Sequence, residues 1–326
     1  MSLLVKKATY LYDTTASPRK GIEAVSFSLK QGERLSILGR SGSGKSTLLK
    51  AVSGLLDLQS GDVFLGEEKI KGPNYSLIPG IKSIKYVAQD FDLKPDYTAY
   101  ENIKDHLDYN YTPEKKERIV SKLIALFGLK DEAHNYPRQL SGGQQQRVAI
   151  AGCLAEMPKL LLLDEPFNDL DHATKTKTIG LLKNACSEFN TSIILVTHNY
   201  EECFIMSPQL MVMSKGKIAQ KGRCEEVFYK PKNQSIAGLM GDFGVLKAGE
   251  TVAGKPLEQL CILRPGQLSL SNNSSSYDIS ATITSIDFMG NYYRCVAETE
   301  AGSSVVLHLQ HAVKQEEKIL LNITLA

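Results

Sequence analysis

The sequence predicts two folds in series: a doubly wound α/β domain, then a small all-β module. Three observations carry this. Glu33 to Leu38 reads as a short strand running into Gly39-Arg40-Ser41-Gly42-Ser43-Gly44-Lys45-Ser46-Thr47, with Leu48, Leu49, Val52, Leu55 and Leu56 at helical spacing behind it. Two fully apolar runs, Leu160–Leu163 and Ile193–Val196, each end in residues that carry chemistry, as strands buried on both faces of a parallel sheet do. Beyond about residue 254 the apolar period changes to two: Ile279, Ala281, Ile283; Val305, Leu307, Leu309; Ile319, Leu321, Ile323, Leu325.

Length and composition agree. A chain of 326 residues suits two domains, and 42% hydrophobic residues suffice for packed cores. A formal net charge of +2 gives no strong field for nucleic acid or anionic lipid, so no nucleic-acid partner is expected. Six cysteines without CxxC spacing indicate thiols in a reducing compartment. No signal peptide opens the chain, and no apolar run approaches the ~20 residues that span a bilayer.

The first element fits G-x-x-x-x-G-K-[ST], the loop that wraps a polyphosphate. Its glycines let backbone N–H groups turn inward, and the helix behind adds a favourable field for anions. Lys45 is expected on the β- and γ-phosphates and Ser46 on Mg²⁺.

Further on, Leu140-Ser141-Gly142-Gly143-Gln144 opens a helix with Val148, Ile150, Ala151 and Leu154 as apolar positions and Ser141 as N-cap. Lying between a phosphate-binding loop and an apolar strand ending in two acids, it resembles the LSGGQ signature of the ABC ATPases. The resemblance implies a P-loop NTPase cassette with ATP and Mg²⁺ as cofactors. It also implies a head-to-tail dimer in which Ser141, Gly142, Gly143, Gln144 and Asp171 close over the ATP of a second cassette, an identical copy being the simplest case.

The remaining motifs follow in family order. Tyr12, with Tyr10 as runner-up, resembles the aromatic that stacks on adenine. Gln89, after Tyr86-Val87-Ala88, resembles the Q-loop glutamine that completes the metal shell. Leu160 to Glu165 resembles Walker B: Asp164 holds Mg²⁺ with Ser46 and Gln89, and Glu165 acts as general base toward the attacking water. Phe167-Asn168-Asp169-Leu170-Asp171 stands at the D-loop, with Asn168 and Asp169 replacing the usual serine and alanine. His198 resembles the switch histidine; the other five of six histidines read as surface or packing residues.

Between Gln89 and Leu140 the chain is mostly helical, including Thr112 to Phe127 with a Thr112-Pro113 start. In the ABC family this interval is the helical subdomain, about residues 90–158. Its groove receives a helix of the membrane subunit, and Phe91 to Pro95 and Tyr100 to Ile103 resemble that docking region. The nucleotide-binding domain is expected over residues 1–238. Gly238 to Gly254 reads as a connection, and residues 239–326 as an OB-like module. Leu263-Arg264-Pro265-Gly266 and Ile286 to Gly290 resemble the TOBE domain appended to importer ATPases for spermidine, ferric iron, sulfate, molybdate and sugars. It is expected either to sense a ligand or to dimerise.

These resemblances imply the ATP-hydrolysing subunit of an ABC importer. It would be cytoplasmic and held at the inner face of the cell membrane through permease subunits, with a solute-binding protein acting through the permease. The alternative is a soluble ABC ATPase acting on nucleic acid or the ribosome. Such chains usually carry two cassettes or a long coiled-coil insertion, and neither occurs here. A non-catalytic regulatory cassette is disfavoured by the presence of Lys45, Asp164, Glu165 and His198 together.

Overall fold

The computed structural model describes residues 2–12, 20–75, 80–88, 93–168, 170–271, 273 and 276–324. Gln89, Phe91, Asp92, Asp169 and Leu325 therefore lie outside the described residues. The chain forms two compact units, 1–224 and 225–326.

The first unit contains two sheets. Strands β1 (Leu3–Leu11), β2 (Gly21–Leu29), β4 (Ser60–Leu65) and β5 (Glu68–Lys69) pair antiparallel in the order β2-β1-β4-β5. The second sheet contains β3 (Arg34–Leu38), β6 (Ile84–Val87), β7 (Leu160–Asp164), β8 (Ser192–Thr197), β9 (Gln209–Ser214) and β10 (Lys217–Arg223). Its order is β10-β9-β3-β8-β7-β6, and all pairs are parallel except β9–β10.

Burial explains the central strands. Every residue of Leu160–Asp164 and of Ser192–Thr197 is buried, so a continuous apolar run is what each position requires. Their register then decides the site. Leu38 pairs with Thr197 and Asp164 with Val196, so β3, β7 and β8 end side by side. Loops leaving the carboxyl ends of adjacent parallel strands share one crevice.

Helix α1 (Lys45–Val52) follows β3 and buries Leu48, Leu49 and Val52. It is shorter than the spacing of Leu55 and Leu56 suggested. Gly54 takes φ 75°, a left-handed conformation that stops the helix, and Leu55 is left 36% exposed.

The helical interval contains α2 (Ala99–Asp105), α3 (Pro113–Leu126) and α4 (Gly142–Leu154). Thr98 and Glu101 form a capping box on α2, and Thr112 caps α3 ahead of Pro113. Asn102 is buried and clamps the preceding loop: its Oδ1 accepts from Lys94 N, and its Nδ2 donates to the carbonyls of Lys94, Tyr97 and Thr98. Glu101 and Asn102, read as docking residues, thus shape their own helix start and loop. The unit is completed by α5 (His172–Glu188) and α6 (Tyr200–Met206).

The second unit begins earlier than residue 239. After α7 (Cys224–Tyr229) and α8 (Gln234–Ala237) come short strands β11 (Gly244–Leu246), β12 (Thr251–Val252), β13 (Lys255–Pro256) and β14 (Cys261–Leu263). A five-stranded antiparallel sheet follows, made of β15 (Leu268–Leu270), β16 (Ile279–Phe288), β17 (Tyr293–Thr299), β18 (Ser304–Leu309) and β19 (Lys318–Ile323) in the order β15-β19-β16-β17-β18. Ile279, Ala281, Ile283, Val305, Leu307, Ile319 and Leu321 are its core, as the period of two requires.

The stretch expected as a connection contributes to this unit. β11 pairs with β14, and Leu246 is buried in the core. Arg264 explains the early boundary. It is 2% exposed, lies over the Phe228 ring, and donates to the carbonyls of Phe228, Ala237, Met240, Gly241 and Asp242. A guanidinium with five donors needs several acceptors when buried, and residues 228–242 supply them.

Candidate functional site

The loop between β3 and α1 forms one wall of a cavity of about 450 Å³, lined by Tyr12, Lys20, Gly21, Ser41, Gly42, Gly44, Lys45, Ser46, Thr47, Asp164 and Glu165. Two of its glycines are left-handed, Gly42 at φ 75° and Gly44 at φ 99°. A Cβ on Gly44 would also stand 2.5 Å from the carbonyl oxygen of Gly21. This position requires glycine twice over. Ser43 Oγ is buried in the loop with no hydrogen-bond partner, an orphan donor where phosphate oxygens are expected.

Lys45 is 4% exposed. Its ammonium donates to the carbonyls of Gly39 (2.8 Å) and Arg40 (3.2 Å) and stands 3.6 Å from Glu165 Oε1. Ser46 Oγ lies 3.0 Å from Asp164 Oδ1, although 118 positions separate them in sequence. Tyr86 OH donates to the other oxygen, Asp164 Oδ2, at 2.8 Å. Burial first, and then the adjacent Asp164 carboxylate, push the Tyr86 hydroxyl far up, so it stays a protonated donor.

Glu165 follows β7 and adopts φ 47°, an uncommon conformation for a side chain with a Cβ. Its amide is held by the Val196 carbonyl at 2.8 Å. Oε2 meets Asn168 Nδ2 at 2.9 Å and His198 Nδ1 at 3.1 Å, whereas Oε1 faces Lys45. Burial pushes this carboxyl up. Hydrogen bonds from Asn168 and His198 and the Lys45 charge outweigh it, holding the group below the usual carboxylate range and ionised.

His198 is presented by a buried brace. Thr197 Oγ1 donates to Glu202 at 2.6 Å and accepts from Asn199 N at 3.0 Å, while Lys175 pairs with Glu202 at 2.6 Å. The turn after β8 is thereby fixed, and the His198 ring remains largely exposed beside Glu165.

The signature residues lie elsewhere. Ser141 caps α4, accepting from Gln144 N, while Gln144 Oε1 accepts from Ser141 N. Ser141 and Gly142 are exposed, and none of residues 140–144 lines the cavity. Gly143 has a packing reason, because a Cβ there would meet Thr174 Cγ2 at 2.6 Å. Asp171 is the exposed N-cap of α5, bonded to Thr174 N at 3.0 Å. Gln146, buried in α4, donates to the Pro166 carbonyl and so ties this helix to the loop after Glu165.

Of the two aromatic candidates, Tyr12 lines the cavity and stands 3.4 Å from Thr47 Oγ1, whereas Tyr10 packs on the hydrophobic core and meets Tyr12 edge-on at 5.0 Å. Sequence reasoning missed the contacts of Tyr86 and Asn168. Tyr86 stands three residues before Gln89, and Asn168 occupies an unusual D-loop position; neither fact identifies its partner. Among the described residues no helix is long and apolar enough to cross a membrane.

A nucleotide-sized crevice where a glycine loop, a buried lysine and two strand-end acids meet is the site of a P-loop ATPase, and the comparisons agree. Residues 22–168 match the ABC transporter family and residues 261–320 the TOBE domain. The chain is 30% identical over 323 residues to the spermidine/putrescine import ATP-binding protein PotA of Borreliella afzelii, covering 93% of this chain and 91% of that protein. It is 34% identical over 285 residues to the Fe(3+) ions import ATP-binding protein FbpC 2 of Haemophilus influenzae, covering 82% and 80%. With the molybdate/tungstate import ATP-binding protein WtpC of Pyrococcus horikoshii it shares 38% over 221 residues, 68% of this chain and 63% of that protein.

Among solved structures, it is similar to the dimeric post-hydrolysis ATP-binding cassette MJ0796 bound to ADP and Pi. That match has 29% identity and a TM-score of 0.59, covering 68% of this chain and 98% of the other. The chain belongs to the ABC transporter family. Within it, the chain is the ATPase subunit of a solute importer: an ATP-binding cassette followed by a TOBE domain.

Proposed function

We propose that this subunit hydrolyses MgATP in the crevice above β3, β7 and β8, and that the residues meeting there have separate tasks. The observation that supports this most is the convergence of Lys45, Ser46, Asp164 and Glu165 on one cavity, with His198 bonded to Glu165. The backbone of Gly39 to Thr47 and the Lys45 ammonium would bind the phosphates, with Lys45 exchanging its present carbonyl partners for phosphate oxygens. Tyr12 would stack on adenine at the cavity rim.

Ser46 Oγ and Asp164 Oδ1 are hard oxygen donors already within 3.0 Å of each other. This small oxygen pair fits Mg²⁺, which takes few protein ligands and keeps several waters. Gln89 is a third donor proposed on motif grounds alone. Bound there, Mg²⁺ would neutralise phosphate charge.

Once Lys45 is engaged by phosphate, Glu165 Oε1 loses its cationic neighbour and is the oxygen left to accept the proton of the attacking water. His198, beside Oε2, would bond the γ-phosphate and orient that water.

Ser141, Gly142, Gly143, Gln144 and Asp171 are exposed or lie outside the cavity, which favours action across a head-to-tail dimer with a second copy. Permease subunits in the membrane and a solute-binding protein are the further partners, placing the chain on the cytoplasmic face. The ATPase domain is proposed to end with the first compact unit, at residue 224 rather than 238. Relatives named for polyamine, ferric iron and molybdate favour a small charged solute, with polyamine or ferric iron foremost.

Two variants test the assignments. Glu165→Gln should lower turnover at least about a hundredfold, the low end for a general base, while ATP binding survives. Lys45→Ala should weaken ATP binding itself in a nucleotide titration. Near-normal turnover in Glu165→Gln would remove Glu165 from the mechanism.

A further inference from the structure

The two carboxylate oxygens of Glu165 are not equivalent. Oε2 accepts from Asn168 Nδ2 at 2.9 Å and contacts His198 Nδ1 at 3.1 Å; Oε1 has Lys45 at 3.6 Å. Lys45 is the partner that a triphosphate would draw away. His198 is largely exposed and sits on a turn beyond a different strand. Asn168, by contrast, is three residues from Glu165 on the same loop and partly buried. That loop is held from behind by Gln146 on the Pro166 carbonyl and by the fully buried Phe167. Of the three neighbours, Asn168 is therefore the one whose place depends least on the nucleotide.

Glu165 needs such a partner. Its backbone is in the left-handed region, where a glutamate has no intrinsic reason to stay. An unpinned carboxylate could rotate and present either oxygen. Its rate advantage as a base depends on holding one oxygen in line with water.

We propose that Asn168 is a positioning residue for the hydrolytic base: its side-chain amide pins Glu165 Oε2 and leaves Oε1 to face the attacking water. This rests on the reading of Glu165 as the base. It also gives the unusual asparagine in the segment 167–171 a task within its own subunit, separate from any contact that segment makes with a second cassette.

The test uses the full chain and a double-mutant cycle. Asn168→Asp keeps shape and volume but has no N–H to donate, and it adds a like charge beside Oε2. Asn168→Ala removes the side chain. Both should keep the wild-type affinity for a fluorescent ATP analogue and the wild-type KM. Both should lower kcat on the order of tenfold, the scale of one hydrogen bond to a charged group, with Asn168→Asp at least as impaired as Asn168→Ala.

In a Glu165→Gln background, adding Asn168→Ala should change the single-turnover rate far less than it does in wild type, because both act through one carboxylate. A residue that only shapes the loop would tolerate the isosteric aspartate and add its loss independently of residue 165. Wild-type kcat in Asn168→Asp, or full additivity with Glu165→Gln, overturns the proposal. Substantial turnover in Glu165→Gln alone would instead overturn the general-base reading, and the two failures are separable.

Discussion

At the scale of single residues, Asp164 carries the most constrained chemistry. One oxygen meets Ser46 and the other is held by Tyr86. If Asp164 holds the metal as proposed, tying down its second oxygen removes its freedom to rotate away, and such outer partners commonly contribute ten- to a hundredfold in metal affinity (about 1–3 kcal/mol). Tyr86→Phe deletes only the hydroxyl. The Mn²⁺ affinity of the nucleotide complex, followed by electron paramagnetic resonance, should fall about tenfold, with metal-free nucleotide binding unchanged. Unaltered Mn²⁺ affinity would leave Tyr86 as a packing residue. Little of this contact was legible in the sequence. Tyr86 looked like one member of a β-like segment, and its reach to Asp164 depends on β6 lying beside β7 with Tyr86 opposite Leu162.

At the scale of elements, α4 and the Arg264 cage show two ways of using a helix terminus or turn. Helix α4 starts at an exposed surface, capped by Ser141, while its interior holds Gln146 against the loop that carries Glu165. A bulky cation in place of Ser141 has room on the isolated subunit, since Ser141 is exposed. Ser141→Arg should therefore leave ATP binding by the monomer intact and abolish ATP-driven dimerisation in sedimentation or light scattering. Loss of monomer binding would contradict action across a dimer.

The Arg264 cage works inward. Deleting its guanidinium strands carbonyls that it now satisfies in the dry interior. Arg264→Met should lower the stability of residues 225–326 by at least about 3 kcal/mol. The same substitution should leave nucleotide affinity unchanged. Arg264→Lys should not rescue it, because one ammonium cannot reach acceptors spread over a fork. A calorimetric transition unmoved by Arg264→Met would show that the cage adds nothing to stability.

At the scale of the whole molecule, every residue lining the nucleotide crevice lies within residues 12–165, and His198 also precedes the end of the first unit. A chain ending at Cys224 should fold and bind MgATP with near-full affinity. Ending it at Gly238 instead would leave the buried Ile236 and Ala237 of α8 and the Phe228 and Ala237 carbonyls without Arg264, and should expose apolar surface and favour aggregation. Comparing the two truncations by thermal unfolding and nucleotide titration tests where the division lies. Equal behaviour of both would argue against a boundary at 224.

What the sequence determined by itself is local or periodic. The glycine loop, the capped starts of α3 and α4, the wholly buried β7 and β8, and the period-two strands of the C-terminal unit are each written in consecutive residues. Backbone conformation and burial periodicity act over a few positions, so they can be read there. The tertiary structure alone decided which oxygen of Glu165 is pinned, that Tyr86 braces Asp164, and that residues 225–242 belong with Arg264. The Asn168–Glu165 bond spans three positions but depends on how the loop turns; the others join positions tens of residues apart. They exist because sheet register sets β3, β7 and β8 ending together, and because a buried charge must recruit acceptors from wherever the fold brings them.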